Sequence, residues 1–131
     1  MKKIVVLLLA AMMSICASAE IMKLKCTHFA SRKLTSSNTW TDWTDWRSSS
    51  DIIVLNGEKN KITINGSKNE GYDIISSEQY TDEDGDEWIS MDSVDDEGYR
   101  CDVQIRFAVD GEIQLYVKYE ALQWVYSVDI L

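Results

Sequence analysis

Residues 99–131 read "YRCDVQIRFAVDGEIQLYVKYEALQWVYSVDIL". Tyr99, Cys101, Val103, Ile105, Phe107 and Val109 alternate with Arg100, Asp102, Gln104, Arg106 and Ala108. Alternation of that length predicts a strand over 99–109 with one face buried. Ile113, Leu115, Val117 and Tyr119 alternate in the same way. A third set, Leu122, Trp124, Tyr126, Val128 and Ile130, has the opposite parity. Directly opposed residues share a face, so parity dictates the loops. A two-residue Asp110-Gly111 turn would oppose Phe107 to Gln114 and mix the faces. A three-residue loop, Val109-Asp110-Gly111, opposes Phe107 to Ile113, Ile105 to Leu115 and Val103 to Val117. It also puts glycine where a G1 bulge needs the left-handed conformation. The next loop, Glu120-Ala121, then opposes Val117 to Trp124 and Leu115 to Tyr126. The result is a three-stranded meander with one apolar face.

Upstream, Asp51–Asn56 and Lys61–Asn65 read as short strands around "NGEKN", and Tyr72–Gln79 and Glu87–Asp92 as another pair around "YTDEDGDE". Met22–Ala30 is a weaker strand, and no amphipathic helix is evident. The expected fold is all-β, a small antiparallel meander barrel or sandwich of about eight short strands.

The chain opens with Met1-Lys2-Lys3, an apolar run from Ile4 to Met13, and Ala17-Ser18-Ala19. That is the order of a secretory signal peptide cut after Ala19, giving residues 1–19 as leader and 20–131 as one β domain. The run is too short for a membrane span, which needs roughly 20 residues. Lipidation at Cys16 is disfavoured because Ile15 stands where lipoprotein processing needs a small residue. The expected location is extracytoplasmic, periplasmic or secreted. The formal charge of −9 becomes more negative once Lys2 and Lys3 are removed. Such an acidic domain repels nucleic acid and anionic lipid. Cys26 and Cys101 remain in the domain, and export permits a disulfide between them.

From Trp43 onward the chain carries "WTDWRSSSDIIVLNG", "NKITING", "GYDI", "MDSVDDEGYRCDVQIRF" and "EIQLYVKYEALQWVYSVDIL". In that order these resemble a group of small exported proteins of Bacteroidetes-type bacteria, mostly without assigned function. The likeness covers roughly two thirds of the chain and is one of hairpin pattern. It implies export and a β-meander, and it implies no activity or site. Met91 stands where members often carry a cysteine, so a local disulfide does not carry over.

Two constellations could carry chemistry. In "NTWTDWTDWR", residues 38–47, Trp40, Trp43 and Trp46 are spaced by three. In polyproline-II geometry all three rings fall on one side, and Asp42 and Asp45 would serve a sugar-stacking platform. The preferred alternative has Trp43 and Trp46 plugging one end of the barrel. The spacing is similar to the tryptophan ladder of thrombospondin type 1 repeats. That family adds six cysteines and arginines from a partner strand, and neither is evident here. The second constellation is acidic: ten carboxylates lie between Asp82 and Asp102 against Arg100 alone. Asp82, Asp84 and Asp86 could form a weak calcium site. An EF-hand loop begun at Asp82 puts Glu87 at position six and Ser93 at twelve, so the motif fails and a solvated hairpin tip is preferred.

Catalytic signals are thin. His28, the one histidine, shares strand parity with Cys26, but two residues apart on a strand is poor geometry for a nucleophile and its base. No nucleophile elbow, phosphate loop or metal-histidine spacing is present, and no cofactor is implied. The expected function is that of an exported, non-catalytic binding or interaction protein with a protein or small-molecule partner. The alternatives are a lipocalin-like carrier with a cavity lined by Phe107, Leu115, Trp124 and Tyr126 and, behind it, a small hydrolase.

The leader generates the first prediction. Mass spectrometry of the protein from its own host should find Glu20 at the N-terminus; an acyl group on Cys16 would overturn this.

Overall fold

A computed structural model describes residues 21–66 and 69–131. The signal-peptide reading, with Cys16, lies outside the described residues. The strands are β1 (Ile21–Lys33), β2 (Arg47–Ser48), β3 (Ile52–Asn56), β4 (Lys61–Asn65), β5 (Asn69–Thr81), β6 (Glu87–Asp95), β7 (Arg100–Phe107), β8 (Ile113–Lys118) and β9 (Leu122–Ile130). From β3 to β9 each strand pairs with the next in an antiparallel meander. β1 closes the sheet, pairing with β3 through residues 21–25 and with β9 through residues 24–33. The fold is therefore a closed eight-stranded antiparallel barrel, with the two-residue β2 added beside β1. Among the described residues no helix is long and apolar enough to cross a membrane.

The hairpin predicted from parity is observed. Phe107 faces Ile113, Ile105 faces Leu115 and Val103 faces Val117. Gly111 has φ +95°, and its N–H donates to the Ala108 carbonyl at 2.9 Å. The next hairpin likewise pairs Val117 with Trp124 and Leu115 with Tyr126. β7 is shorter than alternation predicts, because Tyr99 and Val109 belong to turns and are well exposed.

Two bulges escape the parity argument. The β1–β9 register shifts between Cys26 and His28, and the β5–β6 register shifts between Ile74 and Ser76. An extra residue exchanges the two faces beyond it. On β1, Leu24 and Cys26 point inward before the bulge, and Phe29 and Ser31 take the inward positions after it, opposite Tyr126 and Trp124. Cys26 is buried and His28 exposed, so the Cys26–His28 pair considered from parity does not form.

Leu24, Ile53, Leu55, Ile62, Met91, Val103, Ile105, Leu115 and Val117 fill the interior, each 1 % exposed or less. One end carries the β3–β4, β5–β6 and β7–β8 turns. The other end, carrying the β4–β5, β6–β7 and β8–β9 connections, is here called the upper end.

Gly111→Val should destabilise the protein by about 1 kcal/mol or more, because a β-branched residue resists positive φ. Urea denaturation would measure it, and a change near zero would contradict the bulged turn.

Candidate functional site

The tryptophan stretch neither plugs the barrel nor stands free of it. Residues 39–48 run back along the edge of β1 that β3 leaves unpaired. The Thr41 N–H donates to the Lys33 carbonyl and the Thr44 N–H to the Ser31 carbonyl, both at 2.9 Å. In return the Lys33 and Ser31 N–H groups donate to the hydroxyls of Thr41 and Thr44, at 3.1 and 3.0 Å. Arg47 then pairs with Phe29. Three residues of this strap therefore match two of β1, which accounts for the threonine and tryptophan spacing together. Trp40 and Trp43 turn onto the outer wall on either side of Arg32, whose guanidinium carbon lies 5.0 and 4.7 Å from the two ring centres.

An arginine from a neighbouring strand thus does interleave two tryptophans, which alternation along β1 did not reveal. The six-cysteine framework is still lacking. Trp43 meets Tyr116 edge-on at 6.2 Å, while Trp46 is 48 % exposed. This corrects the expectation that Trp43 and Trp46 plug one end. Asp42 and Asp45 are both exposed beside the strap.

The acidic hairpin does bring Asp82, Asp84 and Asp86 together, with one oxygen of each within 4.8 Å of the others. Two of the three carboxylates already serve the fold. Asp82 accepts from the Asp84 and Asp86 N–H groups at 3.0 Å and from the Trp88 indole N–H at 2.8 Å. Asp86, 4 % exposed, accepts from Arg106 at 2.9 and 2.8 Å and from the Val109 N–H at 2.9 Å. The Val109 N–H, followed by Arg106, holds the Asp86 carboxyl below the usual carboxylate range. The cluster is an Asx-type turn locked to the β7–β8 turn.

Cys26 and Cys101 are free buried thiols, so the disulfide considered between them is not formed. They lie on β1 and β7, with β8 and β9 between. Strands stand about 4.8 Å apart, which carries this pair past the roughly 7 Å that a disulfide can span. Burial, with Asp51 nearby, pushes the Cys26 thiol up to about 12; burial foremost pushes Cys101 up to about 11. Thiols held protonated in this way are poor nucleophiles.

The upper end of the barrel is open. A cavity of about 600 Å³ is lined there by Phe29 and Ser31, by Ser48–Asp51, by Ile64, Gly66 and Glu70, and by Leu122, Trp124 and Tyr126. Of the four cavity residues expected from parity, Trp124 and Tyr126 line it, whereas Phe107 and Leu115 lie in the packed interior. Phe29 faces Tyr126 at 6.2 Å. The Trp124 indole nitrogen is shielded from solvent and has no hydrogen-bond partner among the described residues.

Gly66 makes room for a carboxylate, because a Cβ there would sit 1.8 Å from Asp51 Oδ1. Glu70 accepts a 2.7 Å bond from the Tyr72 hydroxyl on one oxygen. Burial, then this bond to Glu70, raises the Tyr72 phenol far above its ordinary range. A smaller hollow of about 230 Å³ adjoins through Glu70 and Trp124, where Tyr119 donates to Asp95 at 2.7 Å. Sequence reasoning missed Phe29, Ser31, Asp51, Gly66 and Glu70. The β1 bulge hid the first two, and the others stand at strand ends without a pattern around them.

With that geometry established, comparison adds no relative: the chain matches no protein family by profile, no curated protein by sequence and no solved structure by fold.

Trp43→Ala should cost about 1–2 kcal/mol, combining a cation–π contact with one aromatic pair. Trp46→Ala should stay within about 0.5 kcal/mol. Chemical denaturation gives both values. A cost of 3 kcal/mol or more at Trp46 would restore the plug.

Proposed function

We propose that this is an exported, non-catalytic binding protein that holds a small ligand in the open upper end of its barrel. The single observation behind the reading is the cavity of about 600 Å³ walled by Phe29, Trp124 and Tyr126. Ligand sites are concave, largely preformed and lined by apolar and aromatic groups with a few polar ones, and the mouth of a barrel is a common place for them. The buried residues below place the ligand at the upper end, a shorter site than a lipocalin-like carrier with a hollow barrel would have.

A partner bound by strand addition fits less well. Closure pairs the long edges, and the strap covers the β1 edge through Thr41 and Thr44. The protonated Cys26 and Cys101 thiols support a non-catalytic role. Export rests on the leader, and with it an origin among the exported β-meander proteins that the chain resembles.

An uncharged fluorescent probe, N-phenyl-1-naphthylamine, tests the site. It should bind saturably at one site per chain. Ser31→Phe, which fills the cavity from β1, should abolish binding while the melting temperature holds. Failure to bind, or binding indifferent to Ser31→Phe, would overturn the proposal.

A further inference from the structure

The charge inside the upper cavity points to a class of ligand. Asp51 and Glu70 both border it, and neither has a Lys or Arg nitrogen within 4.0 Å among the described residues. No donor from the described residues reaches the Asp51 carboxylate oxygens, and the one bond to Glu70 leaves its second oxygen open. Glu70 bonds the buried Tyr72 hydroxyl and the Asp51 carboxylate lies against Gly66, and both are near enough to the Tyr126 phenol to help hold it up after burial itself. The adjoining hollow adds Asp95, Asp96 and Glu97, with Lys61 at 3.9 Å from Asp96 the one ion pair there among the described residues. Elsewhere Asp86 has Arg106 and Asp92 has Arg100, while Glu87 keeps one shielded carboxylate oxygen without a partner among the described residues.

Two carboxylates with no cationic partner among the described residues give this aromatic enclosure a negative potential, which a cation entering it would offset. Phe29, Trp124 and Tyr126 line the cavity with aromatic rings, a side-chain class whose faces attract alkylammonium groups. We infer that the cavity selects an organic ammonium ion with an apolar body, its charge against Asp51 and Glu70 and its body among the three rings. This inference rests on the proposal that the cavity binds a small ligand, and it specifies which.

Titration calorimetry at low salt with three matched probes would decide it: a phenylpropyl-trimethylammonium ion, the phenylpropyl alcohol and the phenylpropyl carboxylate. The cation should bind about ten-fold tighter than the alcohol, and the carboxylate most weakly. Asp51→Asn with Glu70→Gln should erase the preference while preserving alcohol affinity, and thermal melting would confirm that this variant is folded. Equal binding of cation and alcohol would overturn the cation inference and leave the cavity standing as a neutral site. A preference that survives the double variant would also overturn it. No saturable binding by any probe would overturn both readings.

Discussion

The pairing of Leu24–Lys33 with Leu122–Ile130 joins the two ends of the described chain and turns a meander into a tube. Without it the sheet has two long free edges, and Val128, Tyr126, Leu24 and Cys26 lose the wall that encloses them. β1 can make this pairing and still reach β3 because it is long and bulged. Leu24 and Lys25 serve both neighbours, and beyond Cys26 the strap takes over from β3. Each later feature, the filled floor and the open top alike, follows from which β1 residues face in on either side of that bulge.

The interior changes character along the barrel axis. Below, mostly aliphatic side chains form one buried cluster inside the tube. Above, Phe29, Trp124 and Tyr126 replace them, serines and Gly66 provide little bulk, and carboxylates enter. Large rings beside very small residues pack poorly, so space remains, and space beside Asp51 and Glu70 is polar. The same sheet thus supplies a rigid base and a concave, acidic top. Such a preorganised enclosure suits the proposed ligand, because little freedom would be lost on its entry.

The last three strands were legible residue by residue, down to the bulged turn at Gly111. Their alternation is unbroken and one face is wholly apolar. The all-β class and the approximate strand positions upstream were legible for the same reason. The closing strand was the weak one, because Thr27 interrupts its period and makes Phe29 and Ser31 look outward. Asp51 and Glu70 gave no signal in a chain so rich in carboxylates; only closure distinguishes an acid facing a cavity from one facing water. The tryptophan triplet was conspicuous, yet its meaning depended on Arg32 and on the threonines between the rings, which only the β1 edge could explain.

That strap advances three residues for every two of β1, like the two scales of a vernier. A single inserted residue would rotate every later tryptophan off Arg32 and every later threonine off its carbonyl. A whole Trp-Thr-Asp unit, added together with two residues of β1, would leave every contact in phase. Evolution can therefore lengthen or shorten this wall in steps of three against two, raising or lowering the rim of the barrel without disturbing the strands beneath it.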